Sequence, residues 1–135
     1  MLTVDTHIII WDALKPGLLS KNARKAIDKA NETDGIIFCE ISLWEIAMLI
    51  KKKRMVLDIS YLEFIKLVRA SNNYIFKGLS PEIAELSADL PSEINQDPAD
   101  RIIMATAIKN SLELITADTQ ILKWKGKLVR HDARK

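Results

Sequence analysis

The sequence predicts an α/β fold, a mostly parallel central sheet covered by helices on both faces. Two observations lead there. Short β-type apolar runs alternate along the chain with longer stretches of helical periodicity. The chain has 135 residues, 48% hydrophobic and 28% charged, with 4 Gly and 4 Pro and no linker-like stretch. That suits one core, so a single domain over residues 1–135 is expected.

Leu2-Thr3-Val4 reads as a first buried strand. Residues 20–32 read as a helix with Ser20 at its N-cap and Ala23, Ala26, Ile27 and Ala30 on one face. Gly35 breaks that pattern, and Ile36-Ile37-Phe38-Cys39 follows as a second strand. A helix is predicted from about Ser42 to Lys53, and another from Tyr61 to Ala70 with Leu62, Ile65 and Val68 inward. Tyr74-Ile75-Phe76 fits a short strand. Ser80-Pro81 and Asp97-Pro98 each open a helix with a cap residue followed by proline, the second running to about Asn110. Glu113 to Thr116 is a strand, Thr119 to Trp124 a short helix and Leu128-Val129-Arg130 a last strand.

Twenty Lys and Arg against eighteen Asp and Glu leave +2, too small an excess to grip nucleic acid by bulk charge. The single cysteine, Cys39, forms no internal disulfide and sits beside Ile36-Ile37-Phe38, as a buried thiol in a reducing compartment would. No apolar stretch approaches the roughly 20 residues of a membrane span. The N-terminus has no basic leader, so a cytoplasmic protein is expected.

In sheets of this kind ligands bind beyond the carboxyl ends of the strands. Asp5 directly follows the first strand, and Asp118 lies two residues past Thr116. Glu45 and Asp100 fall in the first turns of their helices. Each acid has a structural explanation. Ser42-Leu43-Trp44-Glu45 fits a capping box, Asp97-Pro98-Ala99-Asp100 a similar cap, and Asp5 and Asp118 are each placed to cap the next segment of chain. Yet the helices of Glu45 and Asp100 are apolar nearly all round, and partly buried carboxylates need a cation, donors or a proton. No Lys or Arg set is spaced to neutralise the four, whereas Mg²⁺ or Mn²⁺ prefers oxygen ligands of this type.

Val4-Asp5-Thr6-His7, Ser42-Leu43-Trp44-Glu45-Ile46-Ala47, Asp97-Pro98-Ala99-Asp100-Arg101 and Leu114-Ile115-Thr116-Ala117-Asp118 together resemble the PIN-domain nucleases, specifically the VapC-type toxins of bacterial toxin–antitoxin pairs. The resemblance runs over essentially the whole chain. It implies a PIN-like three-layer sandwich and a Mg²⁺- or Mn²⁺-dependent endoribonuclease, with Asp5, Glu45 and Asp100 as the invariant acids and Asp118 as the fourth. Thr116, or Thr6 beside Asp5, would be the hydroxyl that holds a carboxylate or water. Metal held by Asp5, Asp100 and Asp118 would activate water for in-line attack, with Glu45 orienting that water or binding a second ion. Close relatives carry a His shortly before the Asp-Pro of the third motif; here Ile94-Asn95-Gln96 stands there. The family also implies an RNA substrate, a homodimer and a VapB-like antitoxin that turns a basic residue toward the carboxylates.

Outside these motifs, Lys51-Lys52-Lys53-Arg54 closes the Glu45 helix, either complementing its dipole or tracking phosphates. Lys123, Lys125, Lys127, Arg130, Arg134 and Lys135 form a second basic candidate. Arg101 pairs with a neighbouring acid or with RNA. Trp11, Trp44 and Trp124 suit core or interface packing, with base stacking as the alternative. His7 reads as a packed residue rather than a catalyst. Two other classes compete. One is a PIN-like module that binds RNA or protein without cutting. The other is a phosphotransferase with a strand-1 Asp nucleophile, which would want a second Asp where His7 stands.

Overall fold

A computed structural model describes residues 1–94, 96–126 and 128–134. In chain order the elements are β1 (Leu2–Val4), α1 (Thr6–Leu14), α2 (Lys21–Glu32), β2 (Ile36–Cys39), α3 (Ile41–Lys51), α4 (Tyr61–Ser71), β3 (Tyr74–Lys77), α5 (Pro81–Asp89), α6 (Pro98–Lys109), β4 (Glu113–Thr116), α7 (Thr119–Lys123) and β5 (Arg130–Asp132), with a 3₁₀ turn at Pro16–Leu18. The described strands pair in parallel in the order β3-β2-β1-β4-β5. Successive connections run outward from β1 through β2 to β3, then restart on its other side with β4. The order therefore reverses between β1 and β4, where a crevice opens at the carboxyl edge.

Alternation along the strands divides the core into two layers. Ile36, Phe38 and Ile115 face one way and pack with Ile8, Ile9 and Ile27 from α1 and α2. Ile37, Cys39 and Leu114 face the other way, against Ile103, Met104 and Ala107 of α6 and Ile121 of α7. Both faces are covered, which is why these strands read as unbroken apolar runs. The α/β sandwich expected from the sequence is the architecture observed.

Local signals fix most helix starts. Ser20 accepts from the Ala23 amide at 3.0 Å, and Ser80 from the Ile83 amide at 3.2 Å. Asp97 accepts from the Ala99 and Asp100 amides at 2.8 and 3.3 Å, with Pro98 behind it. Gly35 enters β2 with φ +87, a left-handed conformation, and a Cβ there would lie 2.8 Å from the Asn73 carbonyl oxygen.

Several expectations need correction. Thr6–Leu14, for which the sequence predicts no element, is helix α1. Ser42 is not an N-cap: β2 passes into α3 through Glu40, so Ser42 lies inside the helix and is fully buried. Leu62 points outward at 77% exposed, and Phe64 fills its expected place beside Ile65 and Val68. The last strand is Arg130–Asp132 rather than Leu128–Arg130, because pairing with β4 starts at Leu114↔Arg130 while Leu128 tucks into the core from the loop. Arg101 pairs with no acid among the described residues. Its guanidinium donates to the carbonyls of Ser87 at 3.1 Å, Pro91 at 3.2 Å, Ala88 and Leu90, tying α6 to the end of α5.

No helix among the described residues is long and apolar enough to cross a membrane.

Candidate metal centre at the carboxyl edge

Asp5 sits where β1 ends at the crevice, and it is buried. Its Oδ1 accepts from the Ile8 amide at 3.1 Å and so caps α1, while its Oδ2 accepts from the Thr116 hydroxyl. Thr116 in turn accepts from the Asp118 amide at 3.0 Å. One threonine therefore locks together the ends of β1 and β4. Asp118 caps α7 by accepting from the Gln120 and Ile121 amides at 2.8 and 3.0 Å. The capping reading of Asp5 and Asp118 is correct, and it coexists with their place in the cluster.

Glu45 reaches the same cleft from α3. Nearby Thr6 opposes the upward shift of its carboxyl, and the Thr6 hydroxyl lies 2.8 Å from that of Ser42. The buried Ser42 thus supports Glu45 at one remove, a role hidden in the sequence by its resemblance to a cap. Thr6 holds Glu45 rather than Asp5. The Glu45 Oε1 atom is buried with no hydrogen-bond partner in the structure.

Asp100 stands in the first turn of α6. Oxygens of Glu45, Asp97 and Asp100 all lie within 4.8 Å of one another. Sequence reasoning assigns Asp97 only the N-cap of this helix. A cap at the start of a helix that points into a crevice is also a ligand position, and Asp-Pro alone gives one signal for both.

Electrostatics show how tightly the five acids converge. Burial raises the Asp100 carboxyl to a pKa of about 8, helped by the negative charges of Asp5, Asp97, Glu45 and Asp118. Glu45 is also pushed up, by burial first, against the Thr6 hydrogen bond and nearby His7, with Asp97 and Asp5 adding to the rise. Burial likewise raises Asp5, opposed by the Thr116 hydroxyl, the Ile8 amide and His7. His7 is exposed. Its charge opposes the upward shift of both neighbours, so it borders the cleft rather than packing in the core. An orphaned carboxylate oxygen among raised carboxyls fits a hard divalent cation, which would replace the proton and satisfy the oxygens together.

The basic candidates are dispersed. Lys51, Lys52, Lys53 and Arg54 are exposed at the far end of α3 from its junction with β2. Arg134 binds Asp132 at 2.8 and 3.0 Å, and Arg130 is half-buried in β5. Lys127, Lys135 and Asn95 lie outside the described residues. Trp11 and Trp124 pack against the two cores, whereas Trp44 is 55% exposed.

Comparison with known proteins gives the chain's family and fold. The sequence model of the PIN domain matches residues 2–127. Ribonuclease VapC22 of Mycobacterium tuberculosis is 33% identical over 118 residues, 87% of either chain. The fold resembles a toxin–antitoxin complex from Klebsiella pneumoniae, with TM-score 0.65, 25% identity and 96% of each chain covered. It also resembles VapBC2 of Rickettsia felis bound to a promoter DNA fragment, with TM-score 0.74, 14% identity and 97% of each chain covered.

Proposed function

Because the chain belongs to the PIN-domain family, we propose that it is a divalent-cation-dependent endoribonuclease, the toxin of a VapBC-type pair. The observation that carries this reading is the meeting of Asp5, Glu45, Asp97, Asp100 and Asp118 around one cleft, with a buried Glu45 oxygen awaiting a partner. The complete acidic set argues against a silent binding module.

Asp5, Glu45, Asp100 and Asp118 would hold Mg²⁺ or Mn²⁺, with Asp97 adding a carboxylate beyond its role as a cap. When bound, the cation supplies a water of lowered pKa and neutralises charge on the phosphodiester. The protein supplies position. Thr116 ties the Asp5 carboxylate to the Asp118 backbone amide, and the Asp118 carboxylate is held by the amides at the start of α7. Ser42 and Thr6 aim Glu45, which orients the attacking water. Attack in line on phosphorus breaks the bond to the 3′ oxygen and leaves a 3′-hydroxyl and a 5′-phosphate.

The solved relatives described as toxin–antitoxin complexes support an antitoxin partner. A basic residue of a VapB-like protein placed among the carboxylates would neutralise the cleft and exclude metal and RNA together. A homodimer and a cytoplasmic location complete the proposal. Incubating several RNAs with the purified protein in Mg²⁺, Mn²⁺ or excess EDTA tests it. Cleavage should appear with either cation and vanish in EDTA, and undiminished cutting in EDTA would sink the metal mechanism.

A further inference from the structure

Beyond the carboxyl ends of β2 and β3 lies a second cavity, of about 270 Å³, lined by Glu40, Trp44, Lys77, Gly78, Ile102 and Thr106 among others. We propose that it receives one unpaired nucleobase of the RNA strand, next to the phosphate being cut, with Trp44 as the stacking surface. The inference rests on the ribonuclease reading above and adds to it the source of sequence preference.

Placement is the first argument. Trp44 adjoins Glu45 on α3, and Ile102 follows Asp100 by two residues on α6; at roughly 100° per residue these side chains leave their helices on other faces than the two acids, so the cavity lies across the α3–α6 seam from the acidic cleft. The same two helices thus build the acidic cleft and the neighbouring cavity. A strand whose phosphate lies in the cleft would lead a flanking base around that seam into the cavity.

Shape and chemistry are the second. The cavity is slightly smaller than the roughly 300–1,000 Å³ of ordinary small-molecule pockets, which suits one planar ring system. Trp44, Leu79 and Ile102 offer apolar wall. Lys77, Glu40 and Thr106 supply a cation, an anion and a hydroxyl among the lining groups, the donors and acceptors needed to read a base edge. Lys77 is already directed by Asn110, whose Oδ1 accepts from its Nζ at 3.0 Å. Trp44 itself is 55% exposed, a poor use of an indole in a chain whose other two tryptophans pack on the cores. Stacking on an exposed aromatic is how single strands are commonly held.

Gly78 leaves the cavity open. A Cβ there would meet only Glu40, at 3.5 Å, an ordinary contact. Gly78→Leu therefore fills the space without forcing the backbone, and Trp44→Ala removes the stacking wall from a site outside the core.

Two measurements decide the matter. In EDTA, where no cutting occurs, the indole N–H resonance of Trp44, identified with Trp44→Phe, is followed by NMR as single-stranded RNA tetranucleotides are added. It should shift with added RNA, and Gly78→Leu should abolish the shift. A Trp44 signal indifferent to every tetranucleotide, or one that moves only with protein concentration as a self-association face would, overturns the proposal. With Mg²⁺, sequencing the ends cut from a randomised single-stranded RNA pool should show a base bias at one position beside the break. Trp44→Ala and Gly78→Leu should flatten that bias and lower kcat/KM on the order of 10-fold, mainly through KM. Bias retained by both variants overturns the proposal. If the unaltered protein cuts nothing in the pool, the ribonuclease reading fails, and the NMR result alone then rules for or against the base pocket.

Discussion

The two edges of the sheet make opposite use of charge. At the amino edge a recess of about 570 Å³ is lined by Met1, Leu2, Lys29, Asp34, Glu113 and His131 among others. It is more than twice the volume of the Trp44 cavity, yet its acids and bases are mixed, and His131 lies 3.2 Å from Glu113. At the carboxyl edge five acids converge and raise the Asp100 pKa to about 8. Space alone therefore points to the wrong end of the molecule. Clustered like charge, held in place by threonines and helix ends, points to the end where the sheet order reverses. Carboxyls raised together in a cleft mark a candidate functional site.

The largest expected effect breaks this comparison at its centre. Asp100→Asn keeps the shape of the side chain but removes the charge that a cation needs. Cleavage should fall by orders of magnitude in a steady-state assay with saturating Mg²⁺, whereas Glu113→Gln at the amino edge should leave it unchanged. Near-normal activity of Asp100→Asn would remove Asp100 from the site, and Asp97, its neighbour in the cluster, would be the next acid to test.

Thr116→Val probes the next layer. The hydroxyl donates to Asp5 and accepts from the Asp118 amide, so valine leaves both without that partner. Removing such supporting groups typically costs about 10- to 100-fold in metal affinity or activity. The apparent Mg²⁺ constant for cleavage should rise by that order, while Thr116→Ser, which keeps the hydroxyl, should restore most of the loss.

How far the sequence revealed this arrangement differed by element. β1, β2 and β4 were legible because burial on both faces leaves only apolar residues, and the helices opened by Ser20, Ser80 and Asp97 because a side-chain cap is a local device. Helix α1 was not legible. Its Ile8, Ile9 and Ile10 are consecutive and all buried, so no periodic polar face survives, and three β-branched residues in a row look like strand. The acids Asp5, Glu45, Asp100 and Asp118 were identified from their positions after strands and at helix starts. The place of Ser42 inside its helix and the second role of Asp97, beyond its cap, are hidden for a shared reason. A cap motif describes three or four residues, whereas the Thr6–Ser42 bond spans 36 positions and the Asp97 contacts depend on α3 lying beside α6.

Stability against pH sharpens the comparison without an activity assay. Asp100 is raised in the folded protein, so the folded state holds a proton that the unfolded chain releases near the ordinary carboxylate pKa of 3.8. Stability is then greatest below that value, declines as pH rises, and this contribution is lost in full above about 8. Raised Asp5 and Glu45 act in the same direction. The metal-free melting temperature should therefore drop between pH 5 and 8.5, and added Mg²⁺ should recover it at the alkaline end by binding the folded state. Asp100→Asn should flatten the slope and raise the metal-free melting temperature at pH 8.5. A slope unaltered by that substitution would mean the acids do not repel one another in solution as they do in the structure.

The smallest effect tests the quiet edge. Glu113 and His131 are each substantially exposed, with side chains at 47% and 36%, and they face each other across β4 and β5. Water screens such a pair, and exposed ion pairs contribute about 0–1 kcal/mol. Glu113→Gln should therefore change the denaturation midpoint by at most a few tenths of a kcal/mol equivalent. Added Mg²⁺ should leave even this small difference unchanged. Melting curves of Glu113→Gln and the unaltered protein, with and without Mg²⁺, measure both points. The Mg²⁺-induced rise should be the same in the two proteins, because the proposed cation site lies at the opposite end of the strands. A rise reduced in Glu113→Gln would place a cation at the amino edge as well, and the contrast between the two edges would no longer be one of function.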